Sequence, residues 1–296
     1  MVSISDIIIF DRARLRAFHE ARALQFSKYA FLHQWASAQL AERLNDVRRV
    51  YQNALFIGAQ PFASNKIKNA FYMNFSEARA RQQHGASITA DEEFLPFRDG
   101  SLDLIVSNLT LHATNDLPGV LLQLKRALKP DGLLLAAMPG GETLRELRES
   151  LMEAELAQKG GASPRVFPFA DKQQMGALMQ RAGYALPVVD SEIVTVMYDN
   201  MFKLLRDLRG MGENNIITRR NRTYAGRDFF GQAAAHYANK FREVDGRVRA
   251  SFEIIFLVGW APHESQQKPL KPGSATIRLA EALETAEIQT GEKAAP

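Results

Sequence analysis

The chain has 296 residues, 46% apolar and 24% charged, the balance of an ordinary globular protein with enough length for a full core. It contains no cysteine, which excludes disulfide scaffolds, zinc fingers, iron–sulfur ligation and thiol catalysis. The net charge of +4 permits an acidic partner or a membrane surface and requires neither.

Ile7-Ile8-Ile9-Phe10 opens the apolar pattern. It is far shorter than the roughly 18 residues of a membrane span and has no basic leader, so it does not read as a signal peptide. A long Arg- and Ser-rich leader is also missing. The expectation is a cytosolic chain, or one already stripped of a targeting segment. Residues 1–50 read as a helical extension, with Leu15, Phe18, Phe26, Phe31, Trp35, Leu40 and Leu44 at mixed three- and four-residue spacing. Arg12, Arg14, Arg16 and Arg22 among them read as a solvated basic face or a docking surface.

From residue 51 the pattern becomes alternating strand and helix. Ala54–Gly58, Ala70–Asn74, Ala86–Ala90, Leu102–Ser107 and Leu133–Met138 read as five buried strands of a parallel sheet. Helical periodicity runs from Leu117 to Leu128 and stops at Lys129-Pro130-Asp131-Gly132. Helices are expected over 142–158 and 171–182, and strands over Ile193–Met197 and Ser251–Trp260. The stretch 200–242, mostly helical and Arg-rich, reads as a cap inserted before the last strand. The Ala- and Glu-rich tail, 277–296, reads as disordered. There is no internal repeat.

This order predicts helices on both faces of the sheet and a nucleotide-type site at the carboxyl ends of the first four strands. Asp91-Glu92 ends the third strand, Leu95-Pro96-Phe97 turns after it, Asp103 enters the fourth, and Leu128–Leu134 makes the turn into the fifth. In that order and spacing they resemble the class I S-adenosylmethionine-dependent methyltransferases. The resemblance implies an α/β, Rossmann-like seven-stranded sheet over 51–276, with a helical N-terminal extension and a helical insert before the last strand.

More local matches narrow it. Phe10-Asp11-Arg12, Ala90–Phe97, Asn115-Asp116-Leu117-Pro118, Gly140–Leu144, Gly210-Met211-Gly212-Glu213, His263-Glu264-Ser265-Gln266 and Gly273-Ser274-Ala275 are similar to the arginine-hydroxylase assembly factors of mitochondrial respiratory complex I and their bacterial relatives. The similarity spans about residues 10–276. Malonyl-carrier-protein methyltransferases of biotin synthesis are more distantly similar. What this implies is S-adenosylmethionine as cofactor and a respiratory complex I subunit as substrate or client; no apolar run is long enough for a transmembrane segment. The location implied is bacterial cytoplasm, including the periphery of the inner membrane, or the mitochondrial matrix in a eukaryote. The resemblance puts Gly58, Asn74, Asp91, Glu92, Asn108 and His112 in the cofactor site, with Asp91-Glu92 accepting from the adenine amino group.

The departures lie after the first strand. Such proteins carry an acid and then three alternating glycines; here the stretch is Phe56-Ile57-Gly58-Ala59-Gln60-Pro61-Phe62. Only Gly58 remains, and Asn74 stands where an acid should hold the ribose hydroxyls. Glycine lets backbone approach a ligand closely. A Phe62 side chain is expected to project into that space, and Pro61 removes a donor.

Each candidate has a plainer reading. Asp91 could be a turn cap, and His112 either a general base or a satisfied structural histidine. The histidines His19, His33, His84, His112, His236 and His263 form no His-x-carboxylate pair, and His263-Glu264 are adjacent, so no metal is assigned. Arg206, Arg209, Arg219, Arg220 and Arg222 have only Tyr224 nearby, too little aromatic interleaving for nucleic acid. Two classes stay open: an enzyme, methyltransferase or arginine hydroxylase, and a degenerate member that chaperones a client without turnover. The catalytic residues are not legible.

Overall fold

Period-two alternation divides the central strands between two cores. In β1 (Tyr51–Gly58), Leu55 and Ile57 pack on one face while Ala54 and Phe56 pack on the other. The same division holds for β4 (Leu102–Asn108) and β5 (Leu128–Pro139). The structure, a computed structural model, describes residues 8–159, 161, 163–267, 274, 277 and 279–286. One compact unit spans Met1–Pro262 and a second spans His263–Pro296.

In the first unit, α1 (Arg12–Arg22), a 3₁₀ segment (Ala23–Lys28) and α2 (Phe31–Asp46) precede the sheet. The remaining elements are β2 (Ile67–Asn74), α3 (Glu77–Ala80), β3 (Ala86–Thr89), α4 (Leu117–Ala127), α5 (Arg145–Lys159), α6 (Lys172–Arg181), β6 (Ala185–Tyr198), α7 (Met201–Met211), α8 (Arg227–Phe241) and β7 (Val248–Trp260). The seven strands run in the order β3-β2-β1-β4-β5-β7-β6. The first five are parallel, and β7 pairs antiparallel with both β5 and β6. This is the α/β, seven-stranded class I methyltransferase sheet expected from the sequence. Helices α2, α5, α7 and α8 cover one face; α4 and α6 cover the other. The insert before the last strand is α7 and α8, joined by an irregular stretch over 212–226.

The expected alternation fails between β1 and β2. Tyr51 pairs with Ile67, so the chain must return from Gly58 along the whole length of β1, roughly 23 Å. Only residues 59–66 are available, against the dozen or more of a usual parallel crossover. A helix rises only about 1.5 Å per residue and cannot cover that distance. The link is therefore an extended strap with no helix. Helix α2 packs against it: Ser37 Oγ donates to the Gln60 carbonyl at 2.6 Å.

The structure also lengthens several expected strands. β6 begins at Ala185 rather than Ile193, and β2 begins at Ile67. The expected helical extension consists of three pieces. In the second unit, the expected tail is described only at 277 and 279–286, where Leu279–Ala282 form one turn, α9. The rest of it, like Gly273 and Ala275, lies outside the described residues.

Candidate functional site

Strand register brings the site together. Gly58 sits opposite Asn108, and Asn74 ends the neighbouring strand. Asn74 Nδ2 donates to the Gly58 carbonyl at 3.1 Å, tying β2 to β1. Asn108 Nδ2 donates to the carbonyls of His33 and Ala59, each at 3.0 Å, tying β4 to α2 and to the strap. Gly58 has φ +95°, and a Cβ there would stand 2.6 Å from the Thr110 methyl and 2.7 Å from the Asn108 carbonyl oxygen. That close approach accounts for glycine at this position. Gln60 has a left-handed φ of 60°, a backbone that glycine adopts more readily than a residue with a side chain.

Phe62 does not take the expected direction. Its ring meets Phe56 edge-on at 5.2 Å, and Phe56 stacks on Tyr72 at 5.7 Å. Burial of aromatic surface under α2 outweighs projection into the site. Phe56 is part of that core.

Gly58, Asn74, Glu92, Asn108 and His112 all line one small polar cavity. Asp91 adjoins it through Arg12. The Arg12 guanidinium, from the first turn of α1, lies 2.5 Å from Asp91 Oδ1 and 2.5 Å from Glu92 Oε2. It also stacks over Phe75 at 4.2 Å. Burial alone would lower the Arg12 pKa, but Glu92 and Asp91 raise it. The cation is therefore firmly held. Burial raises Glu92, with Arg12 opposing. The segment carrying Arg12 is docked on both sides. Asn115 Oδ1 accepts from the Ile9 and Phe10 amides at 2.9 and 2.8 Å, and the Asp11 amide donates to the Ile216 carbonyl.

Sequence reasoning gave no role here to Arg12, His19, His33, Arg79 or Glu213, yet all five line the cavity. His19 and His33 sit far below the usual imidazole value, chiefly through burial; His33 falls to about 3. Burial likewise brings Arg79 down to about 10. Glu213 goes the other way: burial would raise it, but His112, His19 and His33 hold it at about 2. His112 Nε2 lies 3.2 Å from Glu213 Oε2. The Nε atoms of Arg12 and Arg79, both His19 nitrogens, Nδ1 of His33 and His112, and Asn108 Oδ1 have no hydrogen-bond partner among the described residues. The cavity measures about 20 Å³, room for roughly one water. No group of three or more His, Asp or Glu among the described residues is placed to hold a metal ion.

A second, larger cavity of about 270 Å³ shares His33, Leu109, His112 and Glu213 with the first. Its walls are mainly aliphatic and aromatic, from Leu147 and Leu151 of α5, Leu205 and Leu208 of α7, and Phe167 and Phe169. The His112–Glu213 pair therefore stands between a polar chamber and an apolar one.

A methyltransferase-domain family matches residues 60–136. The arginine-hydroxylase NDUFAF5, mitochondrial, of Danio rerio is 37% identical over 96% of this chain and 92% of its own. The malonyl-[acyl-carrier protein] O-methyltransferase of Laribacter hongkongensis (strain HLHK9) is 29% identical, covering 91% of this chain and 96% of its own. Among solved structures, the YcgJ protein of Bacillus subtilis superposes with a TM-score of 0.52 at 15% identity, covering 76% of this chain and 99% of that one. That last likeness concerns the fold alone.

Proposed function

The chain belongs to the family of the arginine-hydroxylase NDUFAF5, and from that premise we propose that it is a protein of the complex I assembly type. It acts on or chaperones a protein subunit of a respiratory complex, and it binds S-adenosylmethionine weakly or not at all. The reading goes with a location in bacterial cytoplasm or at the inner-membrane face, or in the matrix of a mitochondrion. No helix among the described residues is long and apolar enough to cross a membrane.

The observation that carries the reading is the Arg12 bridge. S-adenosylmethionine needs acceptors for its adenine amino group and ribose hydroxyls, and backbone that can approach closely. Here Asp91 and Glu92 both hold Arg12, and the acceptor oxygen of Asn74, Oδ1, faces the Ser76 amide at 3.5 Å. The link after β1 has no helix N-terminus to favour an anionic group. About 20 Å³ compares with roughly 300–1,000 Å³ for sites of drug-sized ligands. The residues present therefore do not fit that cofactor as they are arranged. Breaking a buried ion pair costs about 3–5 kcal/mol, enough to move a micromolar affinity to about 0.2–5 mM.

Calorimetric titration of S-adenosylmethionine into the wild-type chain tests this. The expected result is no saturable binding below about 10 µM, and saturation below that value overturns the reading. A second reading is an active methyltransferase, or an arginine hydroxylase, on a protein or carrier-protein substrate. One observation favours it: the unpartnered polar atoms around the small cavity are what a polar ligand would satisfy.

A further inference from the structure

We propose that the recess between the strap after β1 and α3 binds a small organic acid, whose carboxylate pairs with Arg79. This third cavity measures about 190 Å³, and its walls include Phe26, Ser27, Gln60, Arg79, Gln82 and Gln83. Arg79 also borders the small polar cavity, so it is common to both.

A buried cation needs a counter-charge. Elsewhere the chain supplies one. The Arg12 and Arg165 side chains, 11% and 17% exposed, each hold a carboxylate, on Asp91 and Glu92 and on Glu155. Arg79 is only 6% exposed, yet it forms no ion pair among the described residues. Its Nη2 donates to the Met211 carbonyl at 2.6 Å, and its guanidinium lies over Phe26 at 4.0 Å. Its Nε has no hydrogen-bond partner among the described residues. The two acids whose charge it feels, Glu213 and Glu20, are engaged elsewhere. Glu213 faces His112 at 3.2 Å, and Glu20 accepts from the amides of Glu77 and Ala78. Burial accordingly brings Arg79 down to about 10 despite both.

The other walls suit an organic acid. The side chains of Gln60, Gln82, Gln83 and Ser27 make no hydrogen bond among the described residues, and they offer amides and a hydroxyl to its polar substituents. A planar guanidinium matches a planar carboxylate with two parallel N–H···O bonds. Phosphate fits less well. Helix N-terminal amides are its usual donors, and those of α3, a single turn, are spent on Glu20. The charges of Glu213 and Glu20 also penalise a dianion more than a monoanion.

The test follows amide chemical shifts of the full chain during titration with lactate, with its neutral isostere lactamide, and with inorganic phosphate. Lactate should saturate in the millimolar range, with shifts centred on Gln60, Arg79 and Gln83, and lactamide should bind at least tenfold more weakly. Arg79→Met, which keeps an apolar stem over Phe26, should abolish lactate binding. Gln83→Glu puts an acid on the recess wall without removing Arg79 and should weaken lactate at least tenfold. Equal binding of lactate and lactamide to wild type overturns the proposal, and that comparison needs no variant to fold. No saturation by lactate up to about 50 mM also overturns it. So does lactate binding that survives in folded Arg79→Met, or tighter binding of phosphate than of lactate. A last arm adds S-adenosylmethionine to the lactate complex. Competitive displacement of lactate returns the recess to that cofactor and overturns the proposal together with the weak-cofactor reading. Failure of lactate to bind leaves that reading standing.

Discussion

The two chambers on either side of His112–Glu213 differ in what fills them. On the β1–β2 side the chain supplies its own cation: Arg12 reaches from α1 to Asp91 and Glu92, and about 20 Å³ is left. On the α5–α7 side no side chain closes the space, and about 270 Å³ remains under apolar walls. The sheet is the same on both sides, so the difference comes from what lies above it. A strap too short for a helix follows β1, and the N-terminal segment is pinned over the strand ends by Asn115 and Ile216. The same sheet thus carries an open apolar chamber on one side and, on the other, a chamber filled by the chain's own side chains.

The largest expected effect comes from removing the plug. Arg12→Met leaves Glu92, 3% exposed at its side chain, as a buried carboxyl without its counter-ion. The variant should lose about 3–4 kcal/mol in denaturant unfolding, and adding Glu92→Gln should recover more than half. A loss under about 1 kcal/mol would mean that the N-terminal segment is not docked there. Next is Gly58→Ala, where a Cβ would meet the Thr110 methyl and the Asn108 carbonyl under a left-handed φ. We expect about 2–3 kcal/mol of destabilisation, read as a lower melting temperature.

Acid should act on the polar chamber with a defined sign. The unfolded chain takes up a proton on each histidine near 6.5, whereas folded His33 does so only at about 3. Stability is therefore full above pH 6.5 and falls as the pH drops, by about 2 kcal/mol at pH 5 from His33 alone. His19, also held low by burial, adds to the loss. Glu213, held at about 2, contributes only as the pH falls below about 4.5. His33→Gln should flatten the slope of unfolding free energy between pH 7 and 5; an unchanged slope would assign the acid sensitivity elsewhere. The smallest effect is that of Gln60→Gly. Relief of a left-handed side chain and added unfolded-chain entropy oppose each other, so stability should change by less than about 1 kcal/mol.

The sheet was legible because its central strands are buried on both faces, and short apolar runs such as Ala54–Gly58 and Leu102–Ser107 carry that signal locally. β6 was under-read because an edge strand alternates between part-buried and exposed positions, so only its Ile193–Met197 stretch stood out. The general alternation of strand and helix does not extend to the link after β1, where the few residues between Gly58 and Ile67 leave no room for a helix. Gly58, Asn74, Glu92, Asn108 and His112 were legible as strand-end residues, and register brings them together. Arg12 looked like part of a basic helix face because its partners are Asp91 and Glu92, far along the chain, and a long-range pair leaves no local pattern. Glu213 lay inside the Gly210-Met211-Gly212-Glu213 motif without a role. The fold supplies a reason for that glycine pair: Gly212 has φ +93°, and a Cβ would stand 2.7 Å from the His19 ring.

The chamber at the ends of β1, β2 and β3, proposed to exclude S-adenosylmethionine, is open to a direct test. Amide chemical-shift mapping of the wild-type chain with 1 mM S-adenosylmethionine, about a thousandfold above a micromolar Kd, addresses it residue by residue. No saturable shift is expected at Gly58, Ala59, Asn74, Asp91 or Glu92. Saturable shifts at those residues, with Arg12 released from Asp91, would contradict it.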